Sequence, residues 1–257
     1  MAVHEMTPMY DPKHSQTPTT GNAAFMTTRW SIVRAAGDSA APKHEQALST
    51  LCETYWFPLY AYLRRNGHDV NEAADHTQAF FARLLDKKYL GQVRPKPGKF
   101  RSFLLTALKH FVSNQYKYAR AKKRGGGKKI LSLNYDQAED RYALEPATDL
   151  SPEKLFEKSW ALTVLTRTME RLEEELAARN REKLFEHLRG YVVAEQSAVP
   201  YQDLADKLEM SEGTIRVAVH RLRKRCKEIL RDEVAQTVTT PDEVEEEIRS
   251  LFTALQA

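Results

Sequence analysis

The side chains best equipped for chemistry in this chain are cations, and they come in blocks. From Lys117 to Lys129 seven residues are basic and none is acidic, and from Glu212 to Arg231 seven are basic against two acidic. Blocks of one sign suit binding to a polyanion. The first block opens inside a longer pattern of Lys109, His110, Asn114, Tyr116, Lys117, Tyr118 and Arg120, where cations alternate with aromatic rings. An unpaired base stacked on such a ring gains ~1–3 kcal/mol, while the cations take the phosphates. A helix end that merely answers its own dipole needs one or two charges, so the surplus points to nucleic acid.

The second block lies in a tighter constellation. Tyr201 to Leu208 predicts a short helix with Leu204, Ala205 and Leu208 turned inward, followed by a turn at Glu209 and Met210. Ser211 is then placed to cap a second helix whose buried face carries Ile215, Ala218, Val219, Leu222 and Cys226. Ser211 and Thr214 open this helix. Arg216, Val217, His220 and Lys224 lie on its outer face, flanked by Arg221 and Arg223. A small residue at 205 lets the two helices cross closely, and a basic face with cations at both margins fits a DNA major groove. This is a helix-turn-helix pattern. A plain helical hairpin in a bundle has no use for so many Arg and Lys.

Other chemistries find no support. Glu72, Asp75 and His76 fall within one helical turn, but a carboxylate–histidine metal site of the ferritin kind needs a second copy of the motif. Gly125, Gly126 and Gly127 are not followed by the Lys and Ser or Thr of a phosphate loop, and no Ser/His/Asp set or thiolate cluster is present. Cys52 and Cys226 are the only cysteines, far apart, which predicts neither a disulfide framework nor a zinc site. We therefore expect no cofactor and no metal. No apolar run reaches the ~18 residues of a membrane helix, and the start lacks the basic-then-apolar order of a secretory signal. The expected location is cytoplasmic, with no membrane partner.

The elements that must position these residues are helices. The chain has 257 residues, 42% hydrophobic and 29% charged, with ten Gly and eleven Pro, enough for one large or two modest folded domains. Asp69 with Glu72 predicts a capped helix with apolar positions Val70, Ala73, Ala74, Thr77, Phe80, Phe81, Leu84 and Leu85. A second stripe runs through Phe100, Phe103, Leu104, Ala107, Leu108, Phe111 and Val112. Upstream, His44 to Arg65 is apolar at helical spacing, with Pro58 kinking or restarting it. Ser151 and Pro152 start a further helix. Strand-like alternation is nowhere sustained. The expected class is all-α, with two helical domains joined by a linker and the second a helix-turn-helix. The boundaries run as a disordered extension over 1–25, a first domain over 26–124, a linker over 125–150, the second domain over 151–231 and an acidic tail over 232–257. In that tail Thr240 and Pro241 start a helix with Val244, Ile248, Leu251, Phe252 and Leu255 on one side. It either completes the packing of the second domain or lies against a basic surface and partly covers the recognition helix.

At this point the chain resembles a known family. Ser211, Gly213, Thr214, Ile215, Arg216, Val219 and Arg221 follow the pattern S-x-G-T-(V/I)-(K/R)-x-x-(V/L)-x-R of the fourth domain of bacterial RNA polymerase sigma factors. The upstream half is similar to the second sigma domain of the extracytoplasmic-function group. Glu72, Asp75, Gln78, Phe80, Phe81, Arg83 and Leu84 follow its acidic-Gln-aromatic helix, and Phe100 to Leu104 follows its F-R-x-W-L with Phe103 in place of Trp. Thr27 to Ser31 looks like the opening of one branch of that group, and the likeness runs over about residues 30–230. Glu209 stands where the family usually has Gly at the turn, a left-handed position that costs a side chain ~1 kcal/mol. An L-P-x-x-x-R pattern is not found within Leu172 to Arg181.

The resemblance implies a non-enzymatic subunit that directs RNA polymerase core to promoter DNA and assists strand opening. It implies that Asp75, Gln78, Ala79 and Ala82 form a polar face docking on the clamp of the polymerase core. The helix from Phe100 to Lys123 would hold the downstream promoter element as its strands part, and Ser211 to Lys224 would read duplex. An inhibitory partner, either an anti-sigma protein or a kinase-type regulator, stays open beside inhibition by the chain itself. The alternative is a stand-alone helix-turn-helix regulator that binds DNA without polymerase. It would have no need for a docking helix followed by an aromatic-basic one. An RNA-binding adaptor would share the basic surfaces but not the helix-turn-helix.

Overall fold

Helices form where the apolar period of the sequence is helical and capping groups stand at its ends. The computed structural model describes residues 35–36, 38, 40–84, 99–121, 135–143, 149–193, 200–238 and 240–256. The expectations for residues 1–25, for Thr27 to Ser31 and for the glycines at 125–127 lie outside the described residues, as do the side chains of Lys117, Tyr118 and Arg120. Among the described residues the chain is all-helical, as expected. The order is α1 (His44–Arg65), α2 (Val70–Leu84), α3 (Phe100–Ala121), α4 (Tyr135–Ala143), α5 (Pro152–Ala177), α6 (Glu182–Val193), α7 (Tyr201–Leu208), α8 (Glu212–Ala235) and α9 (Pro241–Gln256). Pro58 sits inside α1, which continues through it as one helix.

The caps fall where the sequence places them. The Glu72 amide donates to Asp69 Oδ1 at 2.8 Å, and the Lys154 amide to Ser151 Oγ with Pro152 at the first helical position. The Thr214 amide donates to Ser211 Oγ at 3.1 Å. At α9 the Thr240 amide donates back to Glu243 Oε2 at 3.0 Å. Each cap satisfies a helix-end N–H that otherwise has no partner within the helix.

Among the described residues two apolar cores result, and α5 and α8 each belong to both. The first gathers Tyr55, Leu59 and Leu63 of α1, Phe80 and Phe81 of α2, Phe100, Leu104 and Leu108 of α3, and Phe156, Trp160 and Val164 from the first half of α5. The second gathers Met169, Leu172 and Leu176 from the other half of α5 with Phe185 and Leu188 of α6, Leu204 and Ala205 of α7, and Ile215, Val219 and Leu222 of α8. The expected boundary at 151 therefore does not separate the cores.

Two further expectations are corrected. Residues 135–143, inside the expected linker, are the helix α4, which packs on α1. Ala138 is buried there. Glu139 accepts from Arg64 Nη2 at 2.8 Å and Nε at 3.1 Å and from the Tyr60 hydroxyl, and the Arg141 guanidinium lies 3.9 Å from the Phe57 ring centre. Nine residues are too few to display a period against a polar background, so the helix was hidden in composition.

Of the tail's two expected positions, the covering of the recognition helix is the one corrected: α9 packs on α5 and on the end of α8, helices of the expected second domain, from the side of the first core. Leu251 and Ala254 of α9, with Val244, Ile248 and Leu255 beside them, join the first core together with Leu230, Val234 and Val238. The reason is electrostatic as well as apolar. Glu247 side-chain exposure is 2% and that of Arg101, at the start of α3, is 4%. Arg101 donates Nε to Glu247 Oε1 at 2.6 Å and Nη2 to Oε2 at 3.1 Å, while its Nη1 reaches Glu157 of α5 at 2.8 Å. Lys99 Nζ lies 2.9 Å from Glu247 Oε2, and the Arg101 guanidinium stands 4.5 Å from the Trp160 ring centre. Burial works against the Arg101 charge, but the two carboxylates outweigh it and hold its pKa above the ordinary value. Where α9 meets α8 it does so at the far end of that helix, through Arg231 and Glu245 at 2.6 Å.

Candidate nucleic-acid interface

The unit built from α7 and α8 is set by one strained residue. Glu209 closes α7 at φ 52°, ψ 40°, the left-handed region, and the Met210 amide returns to the Ala205 carbonyl at 3.0 Å. This conformation is uncommon for a side chain larger than Gly. It turns the chain sharply enough for Ser211 to cap α8, and Ser211 Oγ also meets Thr214 Oγ1 at 2.7 Å.

With Ile215, Val219 and Leu222 buried, the opposite side of α8 faces outward. Thr214, Arg216, Val217, His220, Arg221 and Lys224 are exposed, Val217 to 50%. The cations on this helix differ in their attachments. Arg216 donates Nε to Glu212 Oε1 at 2.9 Å and Nη2 to the same oxygen, and its guanidinium lies 5.1 Å from the Tyr201 ring centre. Arg223 is half-buried, with Nε donating to the Tyr191 carbonyl at 2.9 Å, so it ties α8 to α6 instead of standing free at the margin. Arg225 is bound by both oxygens of Glu175 at 2.8 and 2.7 Å and by Glu228. These bonds push its pKa up and hold the Glu175 carboxyl below its usual range. Arg225 is a structural cation that anchors α8 on α5.

The face on α3 is sorted in the same way. His110 and Asn114 are exposed and border a small recess shared with Phe80 and Arg83. Lys109 Nζ reaches Glu153 Oε1 of α5 at 2.8 Å and stands 5.6 Å from the Tyr62 ring centre, so this expected DNA contact is engaged within the protein. Tyr116 is 49% exposed. Its ring stacks on His68 at 6.0 Å, its hydroxyl lies 3.3 Å from His68 Nδ1, and His76 meets it edge-on at 5.9 Å. Burial, and secondarily His68, lower the His76 pKa. The two histidines support the tyrosine from behind. They are 48 and 40 residues away in sequence, and no local signal links them to it.

On α2, Asp75 and Ala79 are exposed and Ala82 is half-buried, but Gln78 is only 8% exposed. The expected four-residue polar face is thus narrower. The buried side of α2 is wide, taking in Ala73, Thr77, Gln78, Phe80, Phe81 and Leu84, and Gln78 lies on its margin, beside Thr77 and one turn before Phe81. Among the described residues no group of three or more His, Cys, Asp or Glu is placed to hold a metal ion, and no helix is long and apolar enough to cross a membrane.

Comparison with known proteins bears on both surfaces. No curated protein and no solved structure matches the chain. The family model described as ECF sigma factor matches residues 59–232, from within α1 almost to the end of α8. It encloses the Asp75 helix, the aromatic-basic helix α3 and the α7–α8 unit in one span covering well over half of the chain. The chain belongs to the ECF sigma factor family.

Proposed function

We propose that the chain holds RNA polymerase core through the Asp75 side of α2, reads promoter duplex with the outer face of α8, and steadies the parted strands with the exposed end of α3. Membership in the ECF sigma factor family implies promoter-specific transcription initiation with RNA polymerase, by a non-enzymatic subunit. The finer assignment rests chiefly on one observation. A capped helix presents Thr214, Arg216, Val217, His220, Arg221 and Lys224 outward together, polar and cationic groups around one exposed apolar side chain. That mixture suits base edges flanked by phosphates. Tyr116, propped by His68 and His76 with much of its ring open, supports the strand-holding role for α3.

The test is co-sedimentation with core polymerase, then selection of bound promoters, run-off transcription and permanganate probing of unpaired thymines. The proposal expects association, a reproducible promoter set, and permanganate reactivity that falls when Tyr116 is replaced by Ala. Sequence-selective DNA binding with no association with core would instead identify a stand-alone regulator.

A further inference from the structure

Arg216 is held in a way that leaves one particular edge of its guanidinium for a ligand. The group has five N–H donors in a planar fork, and only two of its edges offer paired, parallel donors: the side edge of Nε with one Nη, and the end edge of the two Nη atoms. Glu212, one turn earlier, takes the side edge, with Nε and Nη2 both donating to Oε1. The Arg216 guanidinium carbon lies over the Tyr201 ring, 5.1 Å from its centre, and that ring is itself set against Tyr191 at 5.1 Å. Glu212 therefore holds the side edge of the guanidinium, and the Tyr201 ring limits where the group can swing. The end edge, carrying Nη1–H and Nη2–H, remains, on a side chain that is 64% exposed.

From this arrangement we infer that Arg216 reads a guanine through its end edge, and that Glu212 and Tyr201 are positioning residues which set that preference. The inference rests on the proposed reading of α8 as the duplex-reading helix. Two parallel N–H donors match O6 and N7 of guanine in the major groove. A phosphate could accept the same pair, but two features of the site disfavour it. The Glu212 carboxylate beside Arg216 repels an anion and leaves a neutral base edge unopposed. The neighbouring exposed side chain, Val217, is apolar, which fits a thymine methyl and has no business at a phosphate. Arg216 also lies in the second turn of α8, and the N-terminal turns of a recognition helix are the ones that reach base edges.

The experiment is selection of duplexes from a randomised library by the assembled holoenzyme, with the full chain as wild type and as Arg216→Lys, Glu212→Ala, Glu212→Gln, Tyr201→Leu and Tyr201→Phe. Thermal unfolding of each variant checks folding. One guanine position should stand out with wild type, by roughly 5- to 150-fold as the worth of one bidentate contact, and part of that preference should be lost with Arg216→Lys, whose ammonium lacks the planar paired edge. Glu212→Ala, Glu212→Gln and Tyr201→Leu should erode preference at that same position by about threefold or more. Glu212→Ala should in addition strengthen binding to unselected DNA, because an anion has been removed. Tyr201→Phe, which keeps the ring, should behave as wild type, and a loss of guanine preference with it would remove the ring's positioning role. Unchanged guanine preference in the folded Glu212 variants, or a uniform loss across all sequences with Arg216→Lys, overturns the inference. A wild-type holoenzyme without any sequence preference would instead remove the proposed function beneath it.

Discussion

Replacing Glu247 by Ala tests whether α9 is held as much by charge as by apolar contact. The substitution removes the carboxylate that accepts both Nε and Nη2 of Arg101 and leaves the guanidinium almost wholly buried. Taking one partner from a buried pair costs ~3–5 kcal/mol, most of it the penalty of the stranded charge. Arg101 keeps Glu157 at 2.8 Å and the Trp160 face, and Lys99 is exposed enough to rehydrate, so the low end applies. About 3 kcal/mol in a chain of this size lowers Tm by roughly 6–12 °C. Thermal unfolding of the full chain at pH 7, followed by circular dichroism, reads this directly. The difference should persist at about 0.5 M salt, since buried pairs are little screened. The double replacement Arg101→Met with Glu247→Leu should recover most of the loss, because it removes both charges and keeps the volume. A Tm drop under about 2 °C for Glu247→Ala, or a double variant no better than the single one, would refute the account of α9 given above.

Other expectations follow from the same geometry. Burial raises the Cys52 thiol to about 11, so an alkylating reagent at pH 8 should leave Cys52 unmodified in the folded chain and label it in denaturant, as mass spectrometry will show. The Arg64 hydrogen bonds hold the Glu139 carboxyl below its ordinary 4.5, and Arg225 does the same for Glu175. Depressed carboxylates contribute stability that is complete above the unfolded value and is lost as pH falls through the folded one. Denaturant midpoints should therefore be level above about pH 5 and decline below it, and Glu139→Gln should flatten part of that decline. Asp75→Lys should weaken association with polymerase core with the fold intact, whereas Gln78→Ala should act mainly on thermal stability, since only Asp75 is exposed.

What the sequence made legible was local. The caps at Asp69, Ser151 and Ser211, the apolar stripes of α2 and α3, and the inward residues of α7 and α8 are written in spacings of three and four, which one helix settles by itself. The left-handed demand at Glu209 was legible too, and the residue meets it. What escaped was settled across long separations. Glu139 finds Arg64 at a separation of 75 residues and Glu247 finds Arg101 at 146. No period records such a pairing, so α4 read as linker and α9 as an unplaced helix with a sticky side. Partners at the margins of the candidate site escaped for the same reason. Lys109 stays exposed but pairs with Glu153, Arg223 is tied to the Tyr191 carbonyl, and Gln78 is taken into the wide buried side of α2.

The helix α5 gives the molecule a braced lever. Trp160 is embedded in the first core and Leu176 in the second, separated by roughly 24 Å of continuous helix at 1.5 Å per residue. A tilt of about 5° at the Trp160 end would carry the Leu176 end through about 2 Å, but α8 braces it, seated in the second core by Ile215 and Val219 and in the first by Leu230 and Val234. Reseating Trp160 would thus strain α5 and α8 together, far from the exposed ends of α3 and α8.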